Sequence, residues 1–165
     1  MKASNPRTQW WWWRDVQLRL TKWTQALLQG RRYSVELDPK CRSAVHCIEN
    51  KSIRVNPQFM PAEAPAQQFR ITQALLAHEV GHALYTDAWA DRKENVLAEL
   101  ANMLEDQRIE NAISIYYPGV APAIDLLGDK AYKIVSKRKM KGDASQNVYR
   151  LCLYWRWAAK RARSE

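Results

Sequence analysis

Two histidines four residues apart with a glutamate beside the first, His78-Glu79-Val80-Gly81-His82, constrain this chain more than any other feature. On a helix of about 3.6 residues per turn, positions four apart project from one face, so both imidazoles can bind one ion. Glu79 stands beside such an ion without binding it, placed to take a proton from water and hand it to a leaving group. That chemistry requires the five residues to be helical and packed, and the residues before them meet the demand. From Ala66 onward Phe69, Ile71, Leu75, Leu76, Val80, Ala83 and Leu84 recur at helical spacings, and Pro65 supplies a natural first turn. His78 and His82 share a side with Ile71 and Leu75 and are expected to face the interior. A single histidine there would be an ordinary core residue, whereas two around a glutamate point to a metal.

A catalytic zinc takes three protein ligands and one open position, and the chain holds three histidines, the third being His46. The remaining ligand is expected to be acidic. The extended pattern with a later glycine and a third histidine is absent, since Tyr85 and Ala88 occupy those places, and Asp87 falls one residue short. A stronger source is the helical segment Glu94 to Ile115, which carries Glu99, Glu105, Asp106 and Glu110. At about 100° per residue, Glu105 falls among Ala98, Ala101, Ile109 and Ala112, while Glu99, Asp106 and Glu110 gather on the side expected to meet water. A carboxylate on a packed strip is costly unless paired or bound to a cation, which makes Glu105 the expected third ligand. The alternative is a buried ion pair between Glu105 and Arg108. Arg108 can also support the ligand from behind or polarise a carbonyl, and Tyr85, Tyr116 and Tyr117 are further oxyanion candidates, no spare histidine being expected near the motif.

The order His78-Glu79-x-x-His82, a short spacer, then a helix with a glutamate ligand resembles the gluzincin group of zinc peptidases. More narrowly, His78 to Asp87 followed by Asn102-Met103-Leu104-Glu105-Asp106-Gln107-Arg108-Ile109-Glu110 resembles a metallopeptidase domain of bacterial and phage proteins. That domain often precedes a von Willebrand factor A module, and some of its members are related to the cobalt-chelatase large accessory subunit. The resemblance covers residues 33 to 117. It implies a zincin-like fold, one zinc ion per chain held by His78, His82 and Glu105, Glu79 as general base, and peptide-bond hydrolysis. The Asp-x-Ser-x-Ser metal-adhesion motif of the accompanying module does not occur in these residues. Two other functions fit the same residues: a protease acting on DNA-bound proteins in the manner of SprT-like proteins, and a non-catalytic, zinc-stabilised interaction module.

Ser43 to Ile48 and Ile53 to Pro57 are β-rich runs around the polar turn Glu49 to Ser52, which predicts a hairpin or small sheet before the active helix. Either strand could receive an extended peptide along its edge. Phe59 to Pro65 reads as a loop. Trp10 to Trp13 open an amphipathic helix over residues 10–29 that Gly30 stops; four consecutive tryptophans surround a helix, so part of that surface is expected to meet a protein partner. Lys137-Arg138-Lys139-Met140-Lys141 and Lys160-Arg161-Ala162-Arg163 concentrate the net charge of +9 in the basic region 137–165, where nucleic acid is a candidate partner. Pro118 to Pro122 and Gly142 to Ser145 read as loops and Val148 to Ala159 as a final helix. Cys41, Cys47 and Cys152 are expected as free thiols of a cytoplasmic protein, and Cys41, His46 and Cys47 form a weaker second metal candidate. No leader-like or membrane-spanning stretch is read in the sequence. The expected architecture is one mainly α-helical α+β domain spanning residues 1–165.

Overall fold

The motif helix α2, Pro65–Tyr85, is the element around which the others assemble: in the computed structural model it packs, among the elements described, against the three other α-helices and two of the three strands. The structure describes residues 6–60, 64–86 and 96–136, together with Tyr154 and Ala158. The architecture is α+β and mainly helical, as expected. In chain order the elements are α1 (Pro6–Leu27), β1 (Ser34–Leu37), β2 (Ala44–Cys47), β3 (Ser52–Val55), α2, α3 (Val96–Tyr116), a 3₁₀ turn (Pro118–Val120) and α4 (Ala121–Ser136). Pro65 opens α2 at its first turn, where a missing N–H costs nothing, and the extended backbone of Thr86 closes it. Between these ends Ile71, Ala74, Leu76, Ala77 and Val80 are fully buried on several sides, as a central helix requires. Each large apolar side chain sequestered this way contributes about 1.5–3 kcal/mol.

The hairpin predicted around residues 49–52 forms as β2 antiparallel to β3, and β1 adds a third strand parallel to β3, giving the order β1-β3-β2. Val35 and His46 flank Ile53 in register, and Leu37 and Ala44 flank Val55. Directly paired side chains share a face, so the burial of Ile53 and Val55 assigns all six to the inner side of the sheet. Arg54, offset by one residue, points to solvent with Val45 beside it.

Gly30 adopts φ 83° and Gln29 φ 52°, the left-handed backbone that ends α1. The segment after Tyr117 departs from expectation: the loop read over Pro118 to Pro122 is a single 3₁₀ turn followed at once by α4. Ala123, Ile124, Leu127 and Ala131 supply the apolar spacing for that helix, and Pro122 sits in its first turn, where it is tolerated. Of the expected final helix, Tyr154 and Ala158 are described, both helical, and the ring of Tyr154 lies 6.0 Å from that of Tyr132 on α4. The side chains of Trp10 to Trp13, Cys152 and the basic clusters from Lys137 onward lie outside the described residues. No described helix is long and apolar enough to cross a membrane.

Candidate metal centre

Going around α2 at about 100° per residue, Gly81 faces α3, Glu79 faces β2, and His78 and His82 lie between them. The helix thus forms a floor of two imidazoles with α3 and β2 as walls. Gly81 sets the first wall close. A Cβ built there would stand 3.2 Å from both Cβ and Cδ1 of Ile109, tighter than an ordinary contact, so the missing side chain is what lets α3 approach. Asp106 and Glu110, on either side of Ile109 along the same strip of α3, are thereby carried onto the histidines.

Asp106 Oδ1 lies 3.2 Å from His82 Nε2 and 3.6 Å from His78 Nε2. The opposite ring nitrogens are engaged elsewhere. His78 Nδ1 is 3.1 Å from Oε1 of Glu110, whose side chain is 2% exposed, and His82 Nδ1 is 3.0 Å from the Thr86 hydroxyl. That hydroxyl donates its single hydrogen to Glu105 Oε1 at 2.6 Å, so toward His82 it can only accept. Nδ1 of His82 therefore carries the ring hydrogen, and Nε2 presents a lone pair. A carboxylate against His78 Nδ1 selects the same tautomer. Two imidazole lone pairs and a carboxylate oxygen then converge within 4.8 Å of one another. Ligand atoms about 2.0–2.1 Å from a tetrahedral zinc stand about 3.3 Å apart, close to the separations to Asp106, and the two-nitrogen, one-oxygen set suits zinc chemically.

Helical periodicity pointed to Glu105 as the third ligand; the structure brings Asp106 there instead. The interior strip of α3 runs through Met103, Asp106, Ile109, Glu110 and Ile113, so the side expected to face water is the packed one, its carboxylates answered by the histidines of α2. Glu105 is also buried, on the flank of that strip, and takes the alternative role of ion pair. Arg108 Nε donates to its Oε2 at 2.6 Å and Arg108 Nη2 to its Oε1 at 2.7 Å. The guanidinium first, with help from Thr86, holds the Glu105 carboxyl below its ordinary value despite burial. Arg108 also reaches the carbonyl of Tyr85 at 2.5 Å, tying the end of α2 to α3. Arg108 thus joins Glu105 to the end of the motif helix. Tyr85 stacks on Tyr116 with ring centroids 5.9 Å apart, and Tyr117 donates to the carbonyl of Leu27 at 2.9 Å. Asp87 and the side chain of Glu99 lie outside the described residues.

Glu79 is 7% exposed, and burial foremost pushes its carboxyl above the usual range, opposed by the two imidazoles and by a hydrogen bond from the backbone N–H of His46. Strand pairing explains the last contact. Asn56 N–H donates to Ser43 O at 2.6 Å, which makes residues 43, 45 and 47 the ones bonding to β3. The backbone N–H and C=O of Ala44 and His46 therefore point out from the edge of the sheet, toward the floor of the site. His46 was not expected near the motif. Its ring lies on the inner face, with Nε2 3.3 Å from the Tyr33 hydroxyl, and is held below the ordinary histidine value by burial first and then by the charge of His82. His46 and Cys47, as consecutive residues of a strand, project to opposite faces, and the only candidate metal cluster among the described residues is that of His78, His82 and Asp106, so the Cys41-His46-Cys47 set is not assembled.

Comparison with protein-family models, curated proteins and solved structures finds no match to this chain.

Proposed function

We propose that the chain is a zinc-dependent peptidase of zincin type, with His78, His82 and Asp106 holding one zinc ion and Glu79 as general base. The observation that carries this reading is the convergence of both Nε2 atoms on Asp106 Oδ1 while both Nδ1 atoms are engaged by other groups. An ordinary core histidine pair has no need of two outer partners that clear the same nitrogen on each ring. Zinc, when bound, supplies Lewis acidity, lowering the pKa of water to about 7 and polarising a carbonyl oxygen.

The chain's own groups perform the remaining tasks. Glu79, enclosed between α2 and β2 with raised proton affinity, accepts a proton from the attacking water and delivers it to the leaving amine. The outward backbone of β2 supports a peptide substrate: Ala44 offers N–H and C=O and His46 its C=O to an added strand, the His46 N–H being already bonded to Glu79. Glu110 and Thr86 orient the ligand imidazoles, and Arg108 with Glu105 anchors Thr86. Cys41 and Cys47 are free thiols, which favours a reducing, cytoplasmic setting.

The test begins with metal content by mass spectrometry on protein purified without added metal, followed by digestion of fluorescein-labelled casein with and without chelator. About one zinc per chain, with cleavage abolished by chelator and by Glu79→Gln while zinc is retained, is the expected result. A folded chain that takes up no zinc overturns the reading. Zinc uptake without cleavage of any unfolded protein points to the interaction module instead. The net charge of +9 supports a second reading in which the substrates are bound to nucleic acid, and DNA stimulation that fades steeply with salt would distinguish it.

A further inference from the structure

The proposed reaction places negative charge on the oxygen of the scissile carbonyl, and among the described residues the groups α3 presents to the histidines are the carboxylates of Asp106 and Glu110. Arg108 is engaged with Glu105 and the carbonyl of Tyr85. The opposite wall differs. His46 lies on the inner face of β2, in register with the fully buried Ile53, and its own backbone N–H is bonded to Glu79. A side chain on that residue is therefore anchored beside the general base, near enough to His82 to feel its charge. Tyr33, continuing the inner face of β1 beyond Val35, meets the ring at 5.4 Å between centroids with its hydroxyl 3.3 Å from Nε2. When that hydroxyl donates to Nε2, the neutral imidazole carries its hydrogen on Nδ1.

We infer that His46 is a catalytic residue, donating Nδ1–H to the oxygen of the scissile carbonyl from the β2 side, with Tyr33 fixing the ring and its tautomer. The inference rests on the peptidase reading above. It adds an electrostatic group from the strand edge to a centre whose other named parts come from α2 and α3. A neutral donor suits the place, because the hydrogen bond strengthens as the oxygen gains charge and no proton has to leave the ring. Tyr33 acts through His46 and is a positioning residue.

The test compares the parent with His46→Ala, His46→Gln and Tyr33→Phe, each loaded with zinc or cobalt(II). Zinc per chain is expected to stay at the parent value in all three, since none supplies a ligand. Acetohydroxamate, titrated into the cobalt-substituted proteins and followed by visible absorption, is expected to bind about 10-fold more weakly to His46→Ala, with His46→Gln recovering part of the loss through its side-chain amide donor. Casein cleavage by His46→Ala is expected to lose about 100-fold in kcat with little change in KM, and Tyr33→Phe a smaller share. Parent-level acetohydroxamate affinity and kcat in folded His46→Ala would overturn the assignment while leaving the zinc peptidase intact. A parent chain that binds neither metal nor acetohydroxamate would overturn both.

Discussion

Nδ1 of His78 and Oε1 of Glu110 stand 3.1 Å apart at a position where the glutamate is almost sealed from solvent. An ionised carboxylate there is tolerable because it accepts from the imidazole, and the imidazole in turn is held in the tautomer that exposes Nε2. Glu110→Ala removes that acceptor from a buried N–H, a cost of about 1–3 kcal/mol in stability, and lets the ring turn. Zinc affinity is expected to fall about 10- to 100-fold without being abolished. Glu110→Gln, whose amide oxygen can still accept from Nδ1, should lie between that variant and the parent. Competition against a chelator of known affinity measures both, and an unchanged affinity in Glu110→Ala would remove Glu110 from the centre.

Asp106 and Glu105 are neighbours in sequence with opposite expected phenotypes. Asp106→Asn removes the negative charge from the group that faces both Nε2 atoms and leaves a much weaker donor, and is expected to eliminate stoichiometric zinc. Glu105→Gln weakens a relay two hydrogen bonds removed from the ion and is expected to cost about 10-fold in affinity. Mass spectrometry of the two purified variants separates them directly. Zinc retained by Asp106→Asn and lost from Glu105→Gln would reverse the assignment of the third ligand.

The difference between these two residues also marks what the sequence makes legible. His78 and His82 could be placed on the interior of a helix because apolar neighbours at helical spacing surround them. The hairpin could be placed because β-branched runs flank a polar turn. On α3 the same logic misleads: Asp106 and Glu110 occupy core positions in step with Met103 and Ile113, and a strip containing two acids reads as a wet face. The missing information is a partner across the interface. Carboxylates four residues apart on α3, Glu110 buried and Asp106 half-buried, turn inward because imidazoles four residues apart on α2 receive them, a match visible only when both strips are set side by side. His46 was hidden for a similar reason, since its approach to Glu79 depends on which edge of the sheet β2 occupies. Pro118 to Pro122 masked the start of α4 because prolines mark helix first turns as readily as loops.

The imidazole of His46 supplies a pH prediction for the metal-free protein. Burial and the nearby charge of His82 lower its proton affinity in the folded chain, while the unfolded chain titrates near the ordinary value of about 6.5. Below that pH the unfolded state takes up a proton that the folded state resists, so this contribution to stability is complete above about 6.5 and is lost as pH falls through it. The ring of His46 should titrate below about 6.5 by NMR. The urea midpoint of the parent should decline below that pH more steeply than that of His46→Gln. A ring titrating at or above the ordinary value would contradict its placement beside His82.

Gly81 and Ile109 test whether the closeness of α2 and α3 builds the centre. Alanine is favoured over glycine inside a helix by about 1 kcal/mol, so Gly81→Ala should stabilise the protein if space allowed. The added Cβ instead meets Ile109 at 3.2 Å through its Cβ, an atom fixed to the backbone of α3 that cannot rotate away. The helices must separate slightly, at a cost of about 1–3 kcal/mol that outweighs the propensity gain, and Asp106 retreats from the imidazoles. Gly81→Ala is therefore expected to lower both the urea midpoint and the zinc affinity. Ile109→Ala alone leaves a cavity worth about 2–5 kcal/mol, but it removes the Cδ1 contact and part of the crowding, so the double variant should be less destabilised than the sum of the single changes. A Gly81→Ala protein more stable than the parent, with zinc affinity unchanged, would mean that the approach of the two helices does not depend on the missing side chain.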